Sequence, residues 1–252
     1  MILYDTPNRD VFNVMKNELD KVSYFIRKNG KKISQYFQDL PYKGGSNIFI
    51  LRYTVPSSMN TYTIASKRDV TDAINTFTYI KVDGNSGMRK VFFLRKNSSG
   101  KNDIFPSPNW VLDIYTGHFL SRYKERMMLP GINGDNLIVQ YLEQNKRQGM
   151  AIPTEMINPA VRGDNQVTVI LNEGLSFVEC DEFNLNGTTV NINENKTFVA
   201  KDNLFYKQAV SVMSTDFFVK YQKLKNAMKN NASTREIMEI MDSGVFNPPM
   251  PM

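Results

Sequence analysis

A chain of 252 residues with 41% hydrophobic and 22% charged side chains can bury a sizeable core, and its 16 Phe and 12 Tyr argue against wholesale disorder. The 31 basic residues exceed the 25 acidic ones by enough to leave a net charge of +6, which allows an anionic partner without requiring one. The single cysteine, Cys180, excludes an intramolecular disulfide and a cysteine-based zinc site.

The first ten residues lack a basic segment followed by an apolar one. No window approaches the ~18 apolar residues of a membrane span, so the expected setting is cytoplasmic, with no membrane. Thr6-Pro7 reads as a helix start, a hydroxyl cap followed by proline at the first helical position. Val11, Phe12, Met15, Leu19, Val22, Phe25 and Ile26 then keep a 3.6-residue period, and Asn29-Gly30 reads as its stop. Ile33, Tyr36, Phe37 and Leu40 predict a second, short helix before Pro41. Arg27, Lys28, Lys31 and Lys32 cluster at that junction. They read first as cations complementing a helix C-terminus, ahead of a nucleic-acid patch.

Gly44-Gly45 marks a break, after which residues 47–54, 60–66, 76–82 and 88–95 are rich in β-formers. Asp83-Gly84 opens the hairpin loop between the last two, and a short helix is expected between 66 and 75. Residues 97–108 read as a surface loop. They suggest a boundary between a domain of residues 1–105 and one of 106–252, unless both β regions share one domain. A strand at 110–115 feeds a helix capped by Thr116 and ended by Pro130-Gly131. Asn133 or Asp135 caps the next, whose stripe is Leu137, Ile138, Tyr141 and Leu142. After a connection at 151–165, strands are expected at 167–172, 175–179, 188–191 and 196–199. Glu173-Gly174 and Asn186-Gly187 supply turns. Helices follow from Asp202, with a capping box at Ser233 and Glu236 and a proline-rich tail. The resulting fold class is α+β: an N-terminal helix, antiparallel β regions flanking a central helix pair, and C-terminal helices.

The chain has no glycine-rich phosphate loop, no His-Glu-x-x-His, no paired His or Cys ligands and no Gly-x-Ser-x-Gly elbow, so no metal or cofactor is expected. Cys180 lies among Glu179, Asp181 and Glu182, which raise a thiol's pKa and argue against a dyad with His118. That acidic cluster reads as a solvated turn ahead of a hard-cation site. The chemistry centres on residues 115–126, which hold the only histidine. On a helix, His118, Arg122 and Arg126 form one strip, beside an apolar arc of Phe119, Leu120, Tyr123 and Met127. The bland reading is a charged face with Glu125 pairing an arginine. The functional reading makes His118 a general acid/base. Arg122 and Arg126 then hold a phosphodiester during attack by a 2′-hydroxyl, and Tyr123 offers a stacking surface.

The run His118-Phe-Leu-Ser-Arg122-Tyr-Lys-Glu-Arg126, followed by Pro-Gly-Ile and a second helix, resembles the start of small toxin-type domains. These are related to the metal-independent barnase/colicin-like ribonucleases, and the resemblance spans residues 115–199. It implies RNA cleavage with His118 and Arg122 catalytic. It also implies Arg126, Tyr123 and Thr197 as substrate contacts, Thr197 supplying a hydroxyl to phosphate. The competing readings are a non-enzymatic module for RNA, another anionic partner or a protein, and a structural component of a larger assembly. None of these patterns sets an oligomeric state.

Overall fold

Both β-rich stretches form strands, and in the computed structural model they join edge to edge. The strands are β1 (Ile48–Thr54), β2 (Thr61–Arg68), β3 (Ile74–Asp83), β4 (Arg89–Lys96), β5 (Trp110–Thr116), β6 (Ala151–Pro153), β7 (Gln166–Ile170), β8 (Gly174–Leu185) and β9 (Thr188–Ala200). They lie in one sheet in the order β1-β2-β3-β4-β5-β9-β8-β7-β6. Neighbours are antiparallel except β5 and β9, which run parallel from Trp110 opposite Val190 to Tyr115 opposite Asn195. The structure describes residues 1–38, 40, 47–69, 72–96, 110–145, 151–154, 165–171, 173–200, 236 and 239. Among them are three long-enough helices to pack on the sheet: α1 (Asn8–Gln38), α2 (Gly117–Arg126) and α3 (Gly134–Gln144).

This overturns the expected α+β arrangement. The N-terminal helix is present, but no helix pair sits between two antiparallel β regions. The parallel β5–β9 seam fuses those regions into one mixed sheet, and α2 and α3 pack on its face. Apart from Glu236 and Glu239, which are helical, the expected C-terminal helices lie outside the described residues, as do the proline-rich tail and the 97–108 loop. The short helix expected between 66 and 75 is displaced by longer strands, since β2 continues to Arg68 and β3 begins at Ile74.

Strand alternation divides the core. On one face Tyr62, Ile80, Phe92, Leu112, Ile114, Val190 and Ile192 meet Phe12, Met15 and Val22 of α1. On the other, Tyr79, Val91, Tyr115, Val178 and Phe198 meet Phe119, Tyr123, Ile138 and Tyr141 of α2 and α3. Val190 and Phe198 share a parity yet face opposite sides. The cause is a β-bulge: Val178 pairs with Asn195 and Phe177 with Thr197, so Lys196 is the extra residue. The turn at Asn186-Gly187 has φ of 53° and 75°, the left-handed pair that a two-residue hairpin requires.

The first helix does not stop at Gly30. Gly in a helix interior costs about 1 kcal/mol relative to Ala. Burying Ile33 and Phe37 returns more, at about 1.5–3 kcal/mol for each such side chain. The single helix is therefore about 46 Å long at 1.5 Å per residue. Its last turn holds no basic residue, which places Arg27, Lys28, Lys31 and Lys32 in mid-helix instead of at a C-terminus.

Buried carboxylates tie the helices to the sheet. Glu18 of α1 accepts hydrogen bonds from Asn60 at 3.1 Å and from the Tyr62 hydroxyl at 2.7 Å. Asp135, in the first turn of α3, receives Lys81 at 2.7 Å, Tyr79 at 2.9 Å and Arg52 at 3.0 Å. Burial pushes the Asp135 carboxyl up, but these three partners outweigh it and hold its pKa below the usual carboxylate value. A lowered folded pKa gives stability that is present above the unfolded value, ~3.9, and is lost as pH falls through the folded one. Asp135→Asn is expected to lower stability at neutral pH by about 1–3 kcal/mol. It should also flatten the acid limb of the stability profile. Urea unfolding at stepped pH checks both; an unchanged profile would assign α3 to packing alone.

Candidate nucleic-acid interface

The end of β5 sets α2. The Thr116 hydroxyl accepts the Phe119 backbone N–H at 3.1 Å, the expected cap. At Gly117 an added Cβ would lie 3.4 Å from the Arg89 backbone nitrogen, an ordinary van der Waals contact, so the chain passes close to β4 there. Phe119, Leu120 and Tyr123 are buried and His118 is exposed.

Only part of the expected strip is free for a ligand. His118 and Arg122 share the outer face of α2, but Arg122 donates to Glu125 at 2.8 Å. Arg126 donates to the Phe198 backbone carbonyl. That carbonyl lies on the stretch of β9 past Asn195, where pairing with β5 has ended, so the guanidinium serves a strand edge that is unpaired among the described residues. Tyr123 is fully buried, its hydroxyl donated to Glu173 at 2.8 Å, and offers no stacking surface. Thr197 neighbours Phe198 on β9. Because Phe198 packs on Phe119 and Tyr123, Thr197 points to the sheet face away from α2.

Cys180 donates to Asn193 at 3.2 Å. Burial, with Asp113 and Glu182 adding to it, pushes its thiol up to about 11, so it is held protonated near neutral pH. Its acidic neighbours are dispersed: Glu179 pairs with Lys196 at 2.9 Å and Asp181 with Arg9 at 3.2 Å.

A cluster of cations without ion pairs among the described residues lies on α1. Residues 21–38 contain five cations, Lys21, Arg27, Lys28, Lys31 and Lys32, and no carboxylate, in a chain whose net charge is +6. All five are exposed, and none forms an ion pair among the described residues. Lys21 makes one hydrogen bond, to the Ser57 hydroxyl at 3.1 Å. The flank of the same half-helix beside the cations is held down by Phe25 stacked on Tyr53 at 4.6 Å and Tyr36 against Phe49 at 4.8 Å. The sequence reading found four of the five cations. It placed the helix end at Gly30, which made Arg27 to Lys32 a C-terminal cluster, and did not single out Lys21; the acid-free stretch alone is no signal, since residues 84–102 and 217–235 also hold five cations and no acid.

Comparison with known protein families, curated proteins and solved structures finds no match for this chain. Among the described residues, no helix is long and apolar enough to cross a membrane.

The two arginines of α2 should separate cleanly. Arg122→Ala is expected to change stability by no more than about 1 kcal/mol, because its pair is exposed. Arg126→Ala should cost about 1.5–3 kcal/mol, the worth of a charge-assisted hydrogen bond to a half-buried strand carbonyl. Chemical denaturation of the two variants measures the difference; equal losses would contradict the edge-capping role.

Proposed function

We propose that the protein binds nucleic acid, engaging the phosphate backbone through the exposed face of α1. The observation that carries this is the acid-free run of cations in mid-helix. Cations complement the helix dipole only within the last turn. With the helix continuing to Gln38, that bland explanation no longer covers Arg27 to Lys32. Mobile cations on a rigid helix suit phosphate contacts that set affinity without reading sequence.

A second reading keeps the catalytic hypothesis. His118 is exposed at the first turn of α2 with Arg122 one turn further on, which supports metal-independent attack of a 2′-hydroxyl on its phosphodiester. His118 would move the proton and Arg122 would steady the developing charge. Against it stand the structural engagements of Arg126 and Tyr123 and the position of Thr197.

Binding is expected to fall steeply with salt. If all five cations meet phosphates, log K against log salt should slope at roughly −3.5 on a single strand and −4.5 on a duplex. Lys28→Gln and Lys31→Gln should each reduce the slope by about one. Fluorescence anisotropy with labelled RNA and DNA measures this; a salt-independent interaction would sink the reading. For the second reading, the wild type should cleave mixed RNA in EDTA while a folded His118→Ala variant does not. Equal cleavage by both would remove His118 from the chemistry.

A further inference from the structure

We infer that the α1 face takes single-stranded nucleic acid, with Tyr24 as the platform on which an unpaired base stacks. This rests on the reading of α1 as the phosphate-binding face. Tyr24 is 63% exposed. Among the described residues it is the one aromatic in the set of exposed large hydrophobic side chains, the others being methionine, leucine or isoleucine. Its ring makes no stacking or cation contact and its hydroxyl no hydrogen bond among those residues. The other aromatics of the same half-helix, Phe25, Tyr36 and Phe37, are turned to the sheet or to one another.

The placement of Tyr24 among the cations is what points to a base. At about 100° per residue, all five cations fall within roughly 80° of Tyr24 around the helix axis. From Lys21 to Lys32 they spread over roughly 16 Å of rise. The ring therefore stands inside the charged arc, with cations on either side of it and one exposed carboxylate, Asp20, a turn before it. Basic grooves that track the backbone and aromatic rings that receive bases are the two parts of sequence-tolerant single-strand binding. A duplex keeps its base faces inside the stack, where a ring on a helix lying flat on a sheet does not reach them. A membrane surface fits less well. Insertion of a basic helix needs an apolar face, and that face of α1 is spent on β1 and the core.

The test compares the wild type with Tyr24→Ala, Tyr24→Phe and the double variant Lys28→Gln/Lys31→Gln. Ligands are polyuridine RNA, a matched duplex and anionic phosphatidylserine vesicles. The wild type should prefer the single strand. Tyr24→Ala should lose roughly five- to a hundred-fold on it, with an unchanged salt slope, and Tyr24→Phe should restore binding. The double variant should weaken all nucleic-acid binding and flatten the slope. Equal affinity for single strand and duplex with Tyr24→Ala silent would overturn this inference and leave the phosphate reading standing. Binding to vesicles alone, or to nothing, would overturn both. Tyr24 is exposed, so its variants should melt like the wild type.

Discussion

The parallel seam between β5 and β9 is the constraint on which the rest of the fold depends. Without it the sheet separates into β1–β5 and β6–β9, each with an open edge. The seam carries side-chain bonds besides its ladder. Asn193 donates to Asp113 at 3.0 Å, and Asn195 donates to the Ile114 carbonyl at 3.3 Å. Thr116 donates to the Asn195 carbonyl at 3.4 Å. Asn195 in turn accepts the Ser176 hydroxyl at 2.6 Å, which extends the network to β8. Asp113 is only 1% exposed, and a buried carboxylate is tolerated because Arg95 meets it at 2.8 Å and Asn193 satisfies its other oxygen. Removing Arg95 or Asn193 would leave that charge under-partnered where the two halves join.

The seam also sets the position of α2. Pairing stops at Tyr115 and Asn195, and at that level β5 turns into the helix while β9 continues through its bulge to Ala200. The bulge exchanges the two faces, so Phe198 and Ala200 enter the core beneath α2 instead of the core beneath α1. Where β5 ends, that edge of β9 has no strand beside it among the described residues, and Arg126 donates to the Phe198 carbonyl there. An arginine that reads as a phosphate ligand on a helical wheel is in this way recruited by backbone that the wheel does not represent.

Local features were legible in the sequence where local physics decides them. The Thr116 cap, the Asn186-Gly187 turn and the cores of β1 to β5 follow from hydroxyl capping, left-handed turn geometry and β-branched alternation. Long-range pairing was not legible. Strand β9 reads as two pieces because Asn-Glu-Asn-Lys interrupts its apolar pattern, yet those asparagines are polar precisely where they bridge the seam and the bulge. Gly30 misleads for a similar reason: its local preference for a stop is outweighed by Ile33 and Phe37 reaching the core. At the candidate site, the His118 strip was visible as a pattern, but its partners came from β9 and from Glu173, distant in sequence.

The strongest argument for a ligand on α1 is energetic. Arg27 and Lys31, and Lys28 and Lys32, stand at i,i+4, with Lys28 and Lys31 at i,i+3. Each like-charge pair at such spacing disfavours a helix by about 0.2–0.5 kcal/mol. Among the described residues none of these cations has a carboxylate in an ion pair, whereas Arg9, Arg89, Arg122 and Lys196 each have one. Repulsion concentrated on one exposed arc, where the described residues supply no ion pair, is a local conflict that those residues do not resolve. An anionic partner resolves it, because phosphates between the cations turn mutual repulsion into shared attraction and release the counterions that screen it.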